Sequence, residues 1–155
     1  MIFNGIHCAG AHCIRFFSQA YDKAIVELTA AFDKAESTLS KQRFIAGDKF
    51  TLSDIRLFVT LVRFDEVYIV YFKTNTRSIR NSPALLNYVR EVYQMNGVKE
   101  TVNMKQIKQH YYCSHPDLNK FSIIPKGSDF LKLISEPHNR DDMNSRKRPL
   151  ENGSS

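Results

Sequence analysis

Between Phe17 and Leu39 the apolar residues Phe17, Tyr21, Ala24, Ile25, Leu28, Ala31, Phe32, Ala35 and Leu39 recur at three- and four-residue steps. That spacing predicts one amphipathic helix of about six turns. The stretch Ser40–Phe50 then holds a Gly47-Asp48 turn signal and a small apolar pair, Phe44 and Ile45. Thr51-Leu52-Ser53-Asp54 follows. Thr51 is placed to cap a helix, and Asp54 to return its carboxylate to the Thr51 amide, an aspartate variant of the capping box. Ile55, Leu57, Phe58, Val59, Leu61, Val62 and Phe64 cover more than one face of that helix, which predicts a central position in its bundle.

Val67–Phe72 (VYIVYF) has the β-branched and aromatic content of a strand, but no turn separates it from the helix before it. A lone strand would also lack a partner, so the run is read as helical. Ser82-Pro83 opens a further helix, with Ser82 as cap and Pro83 at the first helical position. It buries Leu85, Leu86, Val89, Val92 and Tyr93 and ends at Asn96-Gly97. Asn103 caps a last long helix carrying Met104, Ile107 and Tyr111. From Ser114 the chain reads as loop, interrupted by a short amphipathic turn at Phe130, Leu131 and Ile134. The sum is an all-α helical bundle with an irregular C-terminal extension. Its expected divisions are a divergent segment at 1–15, a helical domain at 16–136 and a mostly disordered polar tail at 137–155.

Composition changes this picture little. The 155 residues are 43% apolar, enough for one domain with a real core. The longest apolar run has six residues, far short of a bilayer span. Three cysteines (Cys8, Cys13, Cys113) argue against a disulfide framework and for a reducing, cytoplasmic setting. Charge is less even. Lys73 to His110 holds seven basic residues against Glu91 and Glu100, most of the formal net charge of +6. Such a stretch is either a solvated helical face or a surface for an acidic partner or RNA.

No phosphate-cradling glycine loop, nucleophile elbow, HExxH or CxxC is present. Two clusters remain. His7, Cys8, His12 and Cys13, with His110, Cys113 and His115 as a second half, are zinc-type ligands. Their adjacent His-Cys pairs do not match knuckle spacing, and incidental residues are the simpler reading. The second cluster is aromatic: Tyr68, Tyr71, Phe72, Tyr88, Tyr93, Tyr111 and Tyr112. Phenols combine a flat apolar body with a polar tip, which suits either an aromatic, quinone-like ligand or ordinary packing. Arg146-Lys147-Arg148-Pro149 is too short to stand as an import signal.

The segment KQRFIAGDKFTLSDIRLFVTLVRFDEVY, Lys41 to Tyr68, resembles the C-terminal helical domain of glutathione transferases. RFDEVY followed by FKTN, the stretch PALLNYVREVYQMNGVKETVNMKQIKQHYYCSHPDLN and the ending Glu136–Asp141 narrow the resemblance to the glutathionyl-hydroquinone reductases, or xi-class transferases. It runs from about Ile2 to Asp141. The resemblance implies reduction of glutathionyl-hydroquinones with glutathione as co-substrate. It also implies a catalytic cysteine on a thioredoxin-like N-terminal domain, which holds most of the glutathione. Homodimerisation through the helical domain is a further implication; from the apolar runs and the charge placement, neither a membrane nor nucleic acid is expected as a partner.

By position, Tyr111 in the HYY motif matches a tyrosine that contacts the ring oxygens, and Tyr112 is its less certain neighbour. A second pocket tyrosine is expected in an opening NG-x-Y motif, where this chain has His7. None of Cys8, Cys13 or Cys113 matches the family's nucleophile. The chain is therefore expected to be a truncated or split helical domain, inactive alone, that keeps the ring-binding half of the pocket. The alternative is a non-catalytic transferase-like module that binds a protein partner or RNA.

Overall fold

A computed structural model describes residues 18–145, apart from His115 and Asp117. Helix α1 spans Ser18–Leu39 and buries Ala24, Leu28, Phe32, Ala35 and Leu39, the stripe its periodicity marks. Helix α2, Leu52–Arg63, buries Leu57, Phe58, Leu61 and Val62. Its N-terminus is closed by Asp54, which is 0% exposed. Asp54 Oδ2 accepts the Thr51 amide and hydroxyl, each at 2.9 Å, and Oδ1 accepts the Ile45 amide at 2.8 Å. The capping carboxylate thus also holds the turn before the helix, where Phe44 and Gly47 bridge. Gly47 adopts φ +122°, a conformation open to glycine at little cost.

The expectation that α2 is central holds for one side only. Leu52, Ile55 and Val59 stay exposed, at 63%, 47% and 37%. They are spaced three and four apart, so they form a second apolar stripe that the other described residues leave uncovered.

Val67–Phe72 is helical, as read, but not uniformly. A single π-helical turn, Phe64–Tyr68, lies between α2 and the short helix α3, Ile69–Tyr71. The wider turn lets Phe64, Val67 and Tyr68 all enter the core while Asp65 and Glu66 reach opposite neighbours. Asp65 accepts the Ile79 and Arg80 amides at 2.7 and 3.1 Å, fixing the loop that leads to α4.

Helix α4, Pro83–Tyr93, contributes Leu85, Tyr88, Val89 and Val92 to the core and packs on α1 and α2. Pro83 takes the first helical position as expected, but the Ser82 hydroxyl donates back to the Ser78 carbonyl. The open amides of Ala84 and Leu85 donate instead to the two carboxylate oxygens of Glu36 on α1, each at 2.8 Å. A long-range carboxylate at this positive helix end does the work of a local cap.

After Gly97 (φ +82°) and a turn at Lys99–Thr101, helix α5 spans Met104–Cys113, with Asn103 accepting the Gln106 amide at 3.0 Å. Helix α6, Phe130–Ile134, buries its two end residues against α4. Among the described residues there is no strand, so the bundle is all-α.

Residues 137–145 depart from the expected polar tail. Arg140 is 2% exposed, and its Nε donates to Glu91 on α4 at 2.9 Å. Its other nitrogens donate to the carbonyls of Leu39, Gln42 and Arg43 at the end of α1 and the turn beyond. Arg43 reaches the other Glu91 oxygen at 2.5 Å and Asp141 at 2.6 Å. One buried carboxylate therefore ties three distant segments, and a short helix α7, Asp142–Ser145, follows. Composition reads this segment as polar, but its arginine is a core residue.

Candidate functional site

The π-turn and α5 build the site between them. Helix α5 presents two faces. Lys108 and Tyr112, one helical turn apart, are buried against the π-turn, while Gln106, Ile107, His110 and Tyr111 line a cavity of about 370 Å³ with Arg63. Arg63 is the last residue of α2, so the cavity sits where α2 passes into the π-turn.

At its Tyr111 wall, the Tyr111 hydroxyl lies 3.2 Å from the hydroxyl of Tyr68, which is buried behind it. The two rings meet edge-on with centroids 5.8 Å apart, and Tyr71 and Phe72 pack edge-on against Tyr111. Two hydroxyls that share one hydrogen bond leave one proton and several lone pairs to offer outward. Burial pushes the Tyr68 hydroxyl well above the usual phenol range, helped by its Tyr111 partner and opposed in smaller part by the Arg63 guanidinium. Tyr68 is therefore a neutral hydrogen-bond donor at physiological pH.

Tyr112 has a different job. It is 3% exposed and its hydroxyl donates to the Glu66 carbonyl at 3.3 Å. Burial, then the charge of Glu66, pushes it up to about 12. It faces the core side of α5 and not the cavity. Nearby, Lys108 Nζ donates to Glu66 at 2.9 Å and to the Lys126 carbonyl at 3.0 Å, and Glu66 also accepts the Phe130 amide at 3.3 Å. This buried pair clamps α5 and α6 to the π-turn and so sets the wall on which Tyr111 stands.

His7, Cys8, His12, Cys13 and His115 lie outside the described residues, as does the Arg146–Pro149 stretch. Among the described residues no three His, Cys, Asp or Glu side chains are grouped to hold a metal. Cys113 is a free, exposed thiol at the end of α5. The basic stretch is partly paired: Arg77 pairs with Asp33, Arg80 with Asp65, Arg90 with Glu136 and Lys108 with Glu66. Four of its seven cations are thus engaged. Among the described residues no helix is long and apolar enough to cross a membrane.

Sequence reasoning singled out Tyr68 and Tyr111 but missed Arg63 and Gln106. Arg63 lies five residues before Tyr68 in RFDEVY; Arg63 lines the cavity, while Tyr68 is buried and meets the lining through the Tyr111 hydroxyl.

A helical bundle opened by a Thr-x-x-Asp box, with a phenol-lined recess beside its central helices, defines the class. Residues 18–91 match the family "Glutathione S-transferase, C-terminal domain", so the chain carries a glutathione transferase C-terminal domain.

Its relatives are more specific. The chain is 38% identical over 138 residues to glutathionyl-hydroquinone reductase YqjG of Escherichia coli, covering 89% of this chain and 40% of that one. The Xi-class transferase from Natrialba magadii superposes with a TM-score of 0.87 at 39% identity, covering 91% of this chain and 43% of that one. The glutathione-bound structure of Escherichia coli YqjG superposes at 0.81 with 37% identity, covering 90% and 44%. The chain therefore spans about two fifths of the length of the curated reductase it matches.

Proposed function

We propose that this chain is the ring-binding helical half of a glutathionyl-hydroquinone reductase and works with a thiol-bearing domain of the kind that occupies the remaining length of its relatives. The carrying observation is the Tyr68–Tyr111 hydroxyl pair at the wall of an aromatic recess, in a chain related to reductases of that name. In this reading the cavity holds the hydroquinone ring, and the tyrosine pair donates to a ring oxygen. A cysteine thiolate on the companion domain attacks the glutathionyl sulfur. The ring carbon–sulfur bond breaks, the ring carbon takes up a proton, and a cysteine–glutathione disulfide forms. A second glutathione thiolate then releases glutathione disulfide and regenerates the cysteine.

The exposed stripe on α2 supports this assignment of halves. Leu52, Ile55 and Val59 step at helical spacing into Arg63, which lines the cavity. A domain that brings a thiol to the ring must cover that same side and would bury the stripe. We place the assembly in the cytoplasm, where glutathione is abundant, as a homodimer. The isolated chain should bind methylhydroquinone, seen as NMR shifts confined to the cavity, yet turn over glutathionyl-hydroquinone far more slowly than about 1 per second. Tyr111→Phe should weaken that binding about three- to tenfold, the loss of one neutral hydrogen bond. No ring binding, or turnover at an ordinary enzymatic rate by the chain alone, overturns the proposal. The partner-module alternative has no comparable observation behind it.

A further inference from the structure

The buried cations of this domain are matched with care, and one is not. Arg140 and Arg43 share Glu91, and Lys108 holds Glu66. Arg63 is half-buried, and its Nε is shut off from solvent with no hydrogen-bond partner. Among the described residues no carboxylate lies within ion-pair distance of it. Leaving a buried guanidinium nitrogen unpaired is costly, because its water has been removed and nothing has replaced it. The same guanidinium lines the cavity beside Tyr111, with Gln106 and His110 on the facing helix. The Tyr111 phenol, an amide, an imidazole and a guanidinium with one unpartnered nitrogen converge there, and none of them is a carboxylate.

We propose that Arg63 is a specificity-determining residue that selects rings bearing an oxyanion, and that the substrates of this site are hydroquinones carrying a carboxylate or an ionised ring hydroxyl. The assignment rests on the ring-site reading above and adds the class of ring. The guanidinium fork suits a planar oxyanion and stays charged at every physiological pH. The Tyr68 and Tyr111 hydroxyls would take the second ring oxygen, which leaves the apolar ring body to Ile107 and the aromatic wall. Among the described lining residues Arg63 is the one Lys or Arg, so a preference created here is local.

The test is binding of three probes to the full chain by calorimetry, in mildly alkaline buffer where imidazoles are neutral. Methylhydroquinone is the neutral ring, gentisate carries a ring carboxylate, and nitrohydroquinone carries its charge as a phenolate. A charge-assisted contact predicts that gentisate, nitrohydroquinone above its own ionisation, or both bind about tenfold or more tighter than methylhydroquinone. Which anion gains distinguishes carboxylate from phenolate recognition.

Arg63→Gln should bring all three probes within about twofold of one another. Arg63→Lys keeps the charge without the fork and should retain part of the preference. It also keeps the test readable should the glutamine variant fold poorly. Arg56→Gln, one exposed cation earlier on α2, controls for general charge and should change nothing. Methylhydroquinone binding without anion preference in the wild type, or a preference that survives Arg63→Gln or falls equally with Arg56→Gln, overturns the role of Arg63 and leaves the ring site standing. Binding of none of the three overturns both.

Discussion

Replacing Asp54 with alanine should be the most damaging single truncation in the domain. The carboxylate is fully buried and accepts four hydrogen bonds, from the Thr51 amide and hydroxyl, the Ile45 amide and the Tyr88 hydroxyl. Alanine removes every acceptor atom of that side chain. The Tyr88 hydroxyl keeps the Asp54 carbonyl at 3.0 Å and the Thr51 hydroxyl can turn, but the two amides are left unpaired. At about 1–3 kcal/mol for each buried orphan, the loss is about 4 kcal/mol. Domains of this kind have about 5–15 kcal/mol of stability in total, so the variant should be close to unfolding at body temperature.

Urea denaturation followed by helical circular dichroism measures the loss. Tyr88→Phe provides the internal scale. It removes one donor and leaves the carboxylate three others, so it should cost about 1 kcal/mol. A loss below about 1 kcal/mol for Asp54→Ala, or one no larger than that of Tyr88→Phe, would refute the count of orphaned amides as the source of stability.

Arg140→Ala should cost about 3 kcal/mol in the same assay, because Glu91 loses one of two cations and three carbonyls lose their donor; removing the chain from Arg140 onward should cost at least as much. Gly127→Ala should destabilise by about 3 kcal/mol, since φ is +71° and a Cβ would lie 2.2 Å from Glu66 Oε2 and 3.0 Å from Lys108 Nζ. Gly47→Ala, with open space around its Cβ, should cost less, and thermal melting ranks the two.

Tyr68, Tyr71, Tyr88 and Tyr112 all ionise above the ordinary phenol value of 10.0 in the folded protein, chiefly through burial. Their stabilising contribution is complete below that value. As pH rises past it the unfolded chain sheds phenol protons first, so stability should fall through the Tyr112 value of about 12. Denaturation midpoints taken on either side of pH 10, with phenolate absorbance, check the sign; a stability that rises in that window refutes it.

The helices were readable from the chain because their causes are local. The stripe Ala24–Leu39, the Thr51–Asp54 box, Pro83 and the Asn103 cap each act within about one turn. Tyr111 stands on the last long helix that the sequence predicts, and the family resemblance, through the HYY motif, is what pointed to it. The failures share one cause. Glu36 caps α4 from 48 residues away, where the local pattern points to Ser82. Arg140 looks like part of a polar tail until Glu91, 49 residues earlier, is found beside it. The uncovered face of α2 follows from which helices pack around it, and hydrophobic count alone cannot say that.

Sequence alone therefore determined the main helices, their order and the all-α class, since each depends on side chains a few positions apart. Tertiary structure decided which charges are neutralised and which are not. Among the described residues seven ion pairs, most of them between distant segments, engage four of the seven cations of the basic stretch and hold the buried Glu66, Glu91 and Arg140. Arg63 is left over in the cavity. Pairing is a property of distance in space, and a π-turn of five residues was enough to turn Arg63 from one more surface cation into the charged group of the candidate site.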